Sequence, residues 1–484
     1  MSKLQSDDST ATPPTPIKWK ERIHLFSWQW HSVVMATGAC SSLMHSFPYG
    51  TGSFVLQVMA LMFFLLDLGL FLLLCVWAIL RCTMFPEDRA SILTNPAKSL
   101  FIGFFVNGIA SLINAALTVN REWGTGSNYL LFTLWGLWWV DCVLSCIIAF
   151  ALVYVMMGQN SRDLSKIGPV WMVPVITLIV ASSSGGLFAR AILPVSRTCA
   201  IISAGVSLSM LSIGLSLTMM LTTAFLLRLY LHGPLDANIV LTTFTTLTPL
   251  AQGGFSMLLN GQNLATLFPA TSNPDTYLIG QLMFSTCICG AYFLWSMGLA
   301  WITIACFSIR QRLANLPRFS ISSWCVIVPN GSYALLSLQL ATVLQSEFFR
   351  VFGAVWACIV LGLWAGISAR SIPAIIDGSM FKAASPATTG SSSTNNATTP
   401  SSPPVANDPQ KPPIPTLPLA SESVISVIEQ LERPIKDDGR PTLSRPPSYA
   451  TLYIPAQFQD LEAAVEKLVK EDDASDFMHF KRFR

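Results

Sequence analysis

Residues 242–260 read TTFTTLTPLAQGGFSMLLN and lie inside a run, 237–274, that holds no Asp, Glu, Lys or Arg across 38 residues. About 20 predominantly apolar residues in a helix cross a bilayer, so the run is long enough to do so. Its middle does not suit a simple lipid anchor. Thr245, Thr246, Thr248, Pro249, Gln252, Gly253 and Gly254 put hydroxyls, an amide, a helix breaker and two glycines at membrane depth. Lipid cannot satisfy freed backbone groups, so irregular backbone there must be buried in protein or line a cavity. The stretch therefore reads as one wall of a polar path, and the rest of the chain reads as repeats of it.

The whole chain has the composition of a polytopic membrane protein. Of its 484 residues 52% are hydrophobic and 11% charged, against about 25% charged in an average soluble domain. The formal net charge of +3 is carried by basic residues confined to particular loops, which argues against a nucleic-acid partner. Residues 1–26, MSKLQSDDSTATPPTPIKWKERIHLF, show no apolar core ahead of a cleavage site, so no removable signal peptide is expected and the first span serves as insertion signal. The 11 cysteines fall in or beside the hydrophobic runs without a CxxC pair or zinc-like spacing. No disulfide, metal or other cofactor is expected from them.

Apolar runs of 18 or more residues give ten spans: 29–47, 54–80, 99–119, 129–157, 170–192, 199–227, 239–260, 276–306, 321–344 and 350–373. Ten spans return both termini to one side. Lys18, Lys20 and Arg22 precede span 1, and Arg81, Arg89, Lys98, Arg162, Lys166, Arg228, Arg310, Arg312, Arg318 and Lys382 fall in every second connection or after span 10. The intervening loops carry only Arg121, Arg197 and Arg350, so the positive-inside rule places both termini in the cytoplasm.

Even spans such as 54–80 are bulky and apolar apart from Gln57 and Asp67, whereas each odd span carries a small or polar cluster. One mid-span glycine from each odd span, Gly38, Gly108, Gly185, Gly253 and Gly331, recurs at 70, 77, 68 and 78 residues. That is a five-fold repeat of a two-helix unit. Small residues let helices approach closely. The expected fold is an all-α polytopic membrane protein, ten transmembrane helices as five hairpins around a narrow central pore, the odd helices inside and the even ones facing lipid. Residues 1–24 read as a cytoplasmic N-terminal segment and 25–380 as the transporter domain. Residues 381–456, rich in Ser, Thr and Pro, cannot bury enough apolar surface to fold and read as a disordered cytoplasmic tail. Residues 457–484 include FQDLEAAVEKLVKE, a short amphipathic helix suited to a partner or the membrane surface.

Several elements of the odd spans resemble one family. MATGACSSL, PVWMVPVITLIVASSSGG, TPLAQGGFSMLLNG and WCVIVPNGSYALLSLQLA followed by FFRVFGAV are similar to the tellurite-resistance/dicarboxylate transporter family. That family holds plant slow anion channels, bacterial tellurite-resistance proteins, fungal malate permeases and fungal sulfite efflux pumps. The resemblance covers about residues 25–375 and implies ten helices as five hairpins around a pore, as a homotrimer. The Gln-Gly-Gly of span 7 and Pro-Asn-Gly-Ser-Tyr of span 9 look more like the sulfite efflux branch than the malate branch. The anion channels place a pore-blocking phenylalanine just before the span-9 proline, where this chain has Val328. Val328 is therefore a gate candidate, with Phe255 and Phe105 as alternative aromatic plugs.

The candidate pore-lining residues are Thr37, Gly38, Asn107, Gly108, Ser183, Gly185, Thr248, Gln252, Gly253, Asn330 and Gly331. Each glycine alone could equally be a close-packing site. Hydroxyls and amides can donate to an anion without holding it so tightly that it cannot leave. Arg190, the basic residue near the outer end of span 5, either attracts an anion by focusing the field or snorkels to the interface. Asp67 and Asp141 lie in mid-span and suit either a proton relay or a carboxyl kept neutral or hydrogen-bonded between hairpins. His31 and His45 at the ends of span 1 read as structural, a pH response being the alternative. In the tail, Pro446, Pro447 and Tyr449 form a PPxY ligand for a WW domain, pointing to a WW-domain ubiquitin ligase with Lys436, Lys467 or Lys470 as acceptors. The sequons at Asn330 and Asn396 lie in a span and in the tail and are not expected to be glycosylated.

No GxxxxGK[ST] loop, nucleophile elbow or HExxH is present, which argues against ATP-driven transport by this chain alone and against a membrane hydrolase. The readings left are an exporter of a small anion, sulfite or bisulfite first, at the plasma membrane, a C4-dicarboxylate (malate) permease, and a non-conducting receptor or scaffold that works through its tail.

Overall fold

The computed structural model describes residues 18–87, 99–123, 127–157, 165, 167–268, 274–312 and 319–383. The chain divides into two compact units, Met1–Ser392 and Ser393–Arg484, and every described residue belongs to the first. Pro446, Pro447, Tyr449, the acceptor lysines, most of 381–456 and all of 457–484 lie outside the described residues.

Ten long helices follow one another, with no strand among the described residues: α1 His31–His45, α2 Phe54–Met84, α3 Ile102–Glu122, α4 Asn128–Met157, α5 Val173–Ile192, α6 Arg197–His232, α7 Leu247–Leu267, α8 Pro274–Arg312, α9 Ile327–Leu344 and α10 Glu347–Ile376. Eight of them, some with the 3-10 turn that leads into them, are long and apolar enough to cross a membrane. The other two are α1 and α7. Helix α1 has only 15 residues, a rise of about 22 Å. Helix α7 carries the Thr, Gln, Gly and Asn residues of the opening stretch.

Odd and even helices differ in length and in surroundings. The odd ones run 15 to 21 residues, the even ones 30 to 39. The apolar 18-residue stretch within Pro169–Ile192 is 89% buried and that within Ile321–Leu344 67%, whereas that within Phe54–Met84 is 17% and that within Glu347–Ile376 22%. The odd helices close a ring in the order α1, α3, α5, α7, α9 and back to α1, each packing on the next. Each even helix packs on its own odd partner and also on the next odd helix, filling the outer groove between them. The five hairpins thus form a closed two-layer bundle, and most of the large exposed side chains, among them Phe54, Met62, Tyr154, Met220 and Phe293, sit on the even helices.

Tryptophans on the even helices tie the layers together. Trp138 of α4 donates to the Ala181 carbonyl of α5 at 2.9 Å, Trp295 of α8 to Ser337 of α9 at 2.9 Å, and Trp364 of α10 to Thr37 of α1 at 3.2 Å. Indole N–H groups in an apolar layer need such partners. Across the last seam, Arg22 in the short helix Trp19–His24 donates to the Ile375 and Ile376 carbonyls at the end of α10, at 3.0 and 2.8 Å. The ring is closed by polar contact as well as by packing.

The opening stretch folds less irregularly than its sequence suggests. Residues Val240–Thr246 form a 3-10 turn, with Thr242 and Thr246 hydroxyls donating to the Ile239 and Thr243 carbonyls at 2.6 and 2.7 Å. Pro249 then falls in the first turn of α7, where no intrahelical N–H bond is lost. Gly253 and Gly254 lie inside regular helix. Similar 3-10 turns precede α1, α5 and α9, at Trp28–Trp30, Pro169–Met172 and Ile321–Val326, so the shortness of the odd helices is built in at their N-terminal ends.

Candidate functional site

The N-terminal halves of the odd helices converge on one cavity at the ring's axis. Its wall takes a pair of residues, three apart, from each hairpin: Ser32 and Met35 of α1, Phe104 and Asn107 of α3, Val173 and Ile176 of α5, Thr245 and Thr248 at the start of α7, and Cys325 and Val328 at the start of α9, followed by Pro329. A spacing of three keeps both members of a pair on one helix face. About 20 Å³ is open to the centre of a water molecule, roughly room for one.

The cavity is closed by apolar groups. Met35, Phe104, Val173 and Cys325, from four different odd helices, pack into one buried cluster, with Val328 against it. Helix α7 contributes hydroxyls instead. The opening left between these groups is about the size of one water molecule. Polar groups stand ready around it. The Ser32 hydroxyl and the Asn107 Oδ1 are buried with no hydrogen-bond partner among the described residues, which is uncommon for buried polar atoms and marks places where a transient partner would be welcome. Among the described residues no Lys, Arg, Asp or Glu lines the cavity.

Of the residues singled out by sequence, Asn107, Thr248 and Val328 line this cavity. Beyond it, Gln252 of α7 donates to Ser183 of α5 at 2.6 Å, joining two neighbours in the ring. Asn330 is buried and donates to the Val326 carbonyl at 2.8 Å. Thr37 points away from the axis, bonded to Val33 and Trp364. At the other end of the ring Arg190 of α5 donates to Gln262 of α7, whose oxygen also accepts from Gln339 of α9 at 2.9 Å. Three consecutive odd helices are thereby tied together below an exposed guanidinium. His45 and Glu122, at the ends of α1 and α3, pair at 2.5 Å.

The glycines correct the sequence-based register. A Cβ on Gly38 would meet Ser111 and Asp67, on Gly108 Val34, on Gly185 Trp138 and Ser207, on Gly253 Leu215, and on Gly331 Ala39. Gly38, Gly185, Gly253 and Gly331 are close-approach points between helices, and Gly108 makes ordinary contact. They also lie one to nine residues past the second cavity residue of their helix, a scatter of about 12 Å in depth. The aromatic gate candidates move too. Phe105 sits among Trp28, His31 and Phe71 with centroids 5.2 to 5.8 Å away, and Phe255 packs with Leu258 and Leu336 between α7 and α9. The neighbour Phe104 reaches the axis. Sequence reasoning passed over Met35, Phe104, Val173, Ile176 and Cys325 because apolar residues in a membrane helix carry no mark of which face they occupy.

Residues 25–372 match the family model described as SLAC1, voltage-dependent anion channel, which covers more than half of the chain and the whole ring. A sulfite efflux pump SSU1 of Arthroderma otae is 26% identical over 73% of this chain and 92% of its own length. The protein of the same name from Candida albicans is 25% identical over 69% of this chain and 71% of its own. A malic acid transport protein of Schizosaccharomyces pombe is 19% identical over 74% and 80%. The chain is an integral, multi-pass membrane protein and belongs to the SLAC1 voltage-dependent anion channel family, the tellurite-resistance/dicarboxylate transporter group whose motifs its odd spans carry.

Proposed function

We propose that this chain moves a small inorganic anion, sulfite or bisulfite first, out of the cell across the plasma membrane along the axis of its odd helices. The observation that carries the reading is the cavity to which all five odd helices contribute, an apolar wall with Ser32, Asn107, Thr245 and Thr248 among its residues and, among the described residues, no fixed charge to trap an anion. The sulfite branch is supported by the naming of the fungal relatives at 25 to 26% identity. All ten helices then cross the membrane, because α1 and α7 occupy the same inner positions in the ring as the three odd helices apolar enough to do so alone. Both termini face the cytoplasm on the loop charges. A homotrimer is part of the reading through the family resemblance, and the PPxY at Pro446, Pro447 and Tyr449 recruits a WW-domain ubiquitin ligase.

The test is transport by the purified full-length chain in proteoliposomes. Sulfite efflux without malate flux supports the reading, malate flux without sulfite transfers the chain to the dicarboxylate permeases, and absence of both leaves the scaffold reading. In a host lacking its own sulfite exporter, the chain restores sulfite tolerance and stains at the cell surface.

A further inference from the structure

Asp67 on α2 is an acid the path above does not use. It is fully buried, near the middle of a 31-residue helix, and neither carboxyl oxygen has a hydrogen-bond partner among the described residues. The missing side chain of Gly38 on α1 lets Ser111 of α3 come up close to it. A Cβ on Gly38 would lie 2.8 Å from Asp67 Oδ2 and 2.1 Å from Ser111 Oγ of α3, so the carboxyl and the hydroxyl are within about 5 Å of each other. Ser111 is one turn beyond Asn107 on the same face of α3 and is partly exposed, whereas Asn107 lines the cavity. A line of polar groups therefore runs from the axis through Asn107 and Ser111 to Asp67, at a close helix approach that a side chain at position 38 would push apart.

We propose that Asp67 is a proton-binding site that sets the anion permeability of the ring: an anion passes Asn107 and Ser111 only while Asp67 is protonated. The inference rests on the transport reading above. In a low-dielectric wall an ionised carboxylate repels an anion strongly at this distance, and a neutral carboxyl does not. By reciprocity an anion at Ser111 favours the proton on Asp67. Among the described residues no cation pairs with the carboxylate. On α1 the ionisable neighbours are Cys40, which interacts with Asp67, and His31, which lies against Phe71 further along α2. Helix α3 offers Asn107, Ser111 and Asn114 at this depth, with Arg121 and Glu122 only at its far end. Helix α10 meets α2 through Trp364 on Phe63, and Glu21, Arg22 and His24 lie on Trp19–His24, before α1. Asp141 of α4 is buried and unpartnered in the same way, but the glycine that faces α4 is filled by Trp138 and Ser207 rather than by a carboxyl.

Sulfite flux into proteoliposomes is measured at pH 5.5 and pH 8 for the full-length wild type and for Asp67→Asn, which keeps the shape of the protonated acid. Sulfite speciation is identical in the two, so their ratio isolates the protein. The expected result is equal flux at pH 5.5 and a wild type at least about tenfold slower than Asp67→Asn at pH 8. A ratio that does not change with pH overturns the proposal while leaving transport intact, and a wild type with no sulfite flux at either pH overturns the transport reading and this one with it. Where Asp67→Asn does not fold, infrared difference spectra of the wild type decide. Growth of a protonated-carboxyl band on adding sulfite supports the site, and its absence overturns it.

Discussion

Phe104 and Val328, from hairpins on either side of α1, both line the cavity and pack into its apolar cluster, and the proposed path needs them to move aside. Phe104→Ala removes most of one wall of the plug and is expected to raise resting sulfite flux in proteoliposomes by about tenfold, the equivalent of about 1.4 kcal/mol off the barrier. Phe105→Ala, one residue away but turned toward His31 and Trp28, should leave resting flux unchanged. The glycines make the complementary prediction about stability. Gly185→Ala places a Cβ 2.6 Å from the Trp138 ring, whereas at Gly108 the nearest atom is 3.5 Å away. The first should cost about 1–3 kcal/mol through overpacking and the second well under that, seen as a lowered unfolding temperature in detergent for Gly185→Ala alone. A glycine in a membrane helix announces close approach in the sequence, but not to which neighbour. That is why the five glycines can be read as a repeat while the neighbours they meet cannot.

At the scale of elements, the hairpin repeat, the inner and outer rings and the helix positions could be read from apolar runs and loop charges, because burial in lipid imposes those patterns directly. What could not be read is how the odd helices begin. Their 3-10 entries depend on side-chain bonds such as Thr246 to Thr243 and on the neighbouring turn, not on local propensity. The joints between inner helices were also hidden. Ser182 of α5 meets Ser256 of α7 at 2.7 Å and Ser207 of α6 at 3.1 Å, and Asn260 donates to the Ser256 carbonyl at 3.0 Å. Scattered serines gave no sign of this knot. Asn260→Leu breaks it while leaving Ser182 and Ser256 buried, and should cost about 1–3 kcal/mol, measured as loss of the monodisperse peak after mild heating, with the cavity pairs untouched.

For the whole molecule, the described ring is complete without residues 384–484. A chain ended after Ala383 is expected to keep sulfite flux in proteoliposomes within about twofold of full length, and loss of flux would assign the C-terminal segment a direct part. Tyr449→Ala is expected to slow ubiquitylation and surface turnover without changing flux per molecule, and equal turnover of the two chains counts against the PPxY reading. The path itself can be questioned through two native cysteines that the fold treats differently. Cys325 is buried in the constriction, and Cys358 is exposed on α10. In chains keeping only one of the two, a small charged methanethiosulfonate applied during transport should abolish sulfite flux through the Cys325 chain and leave the Cys358 chain unaffected. Complete modification of Cys325, verified by mass, with sulfite flux unchanged would contradict a route along the axis of the odd helices.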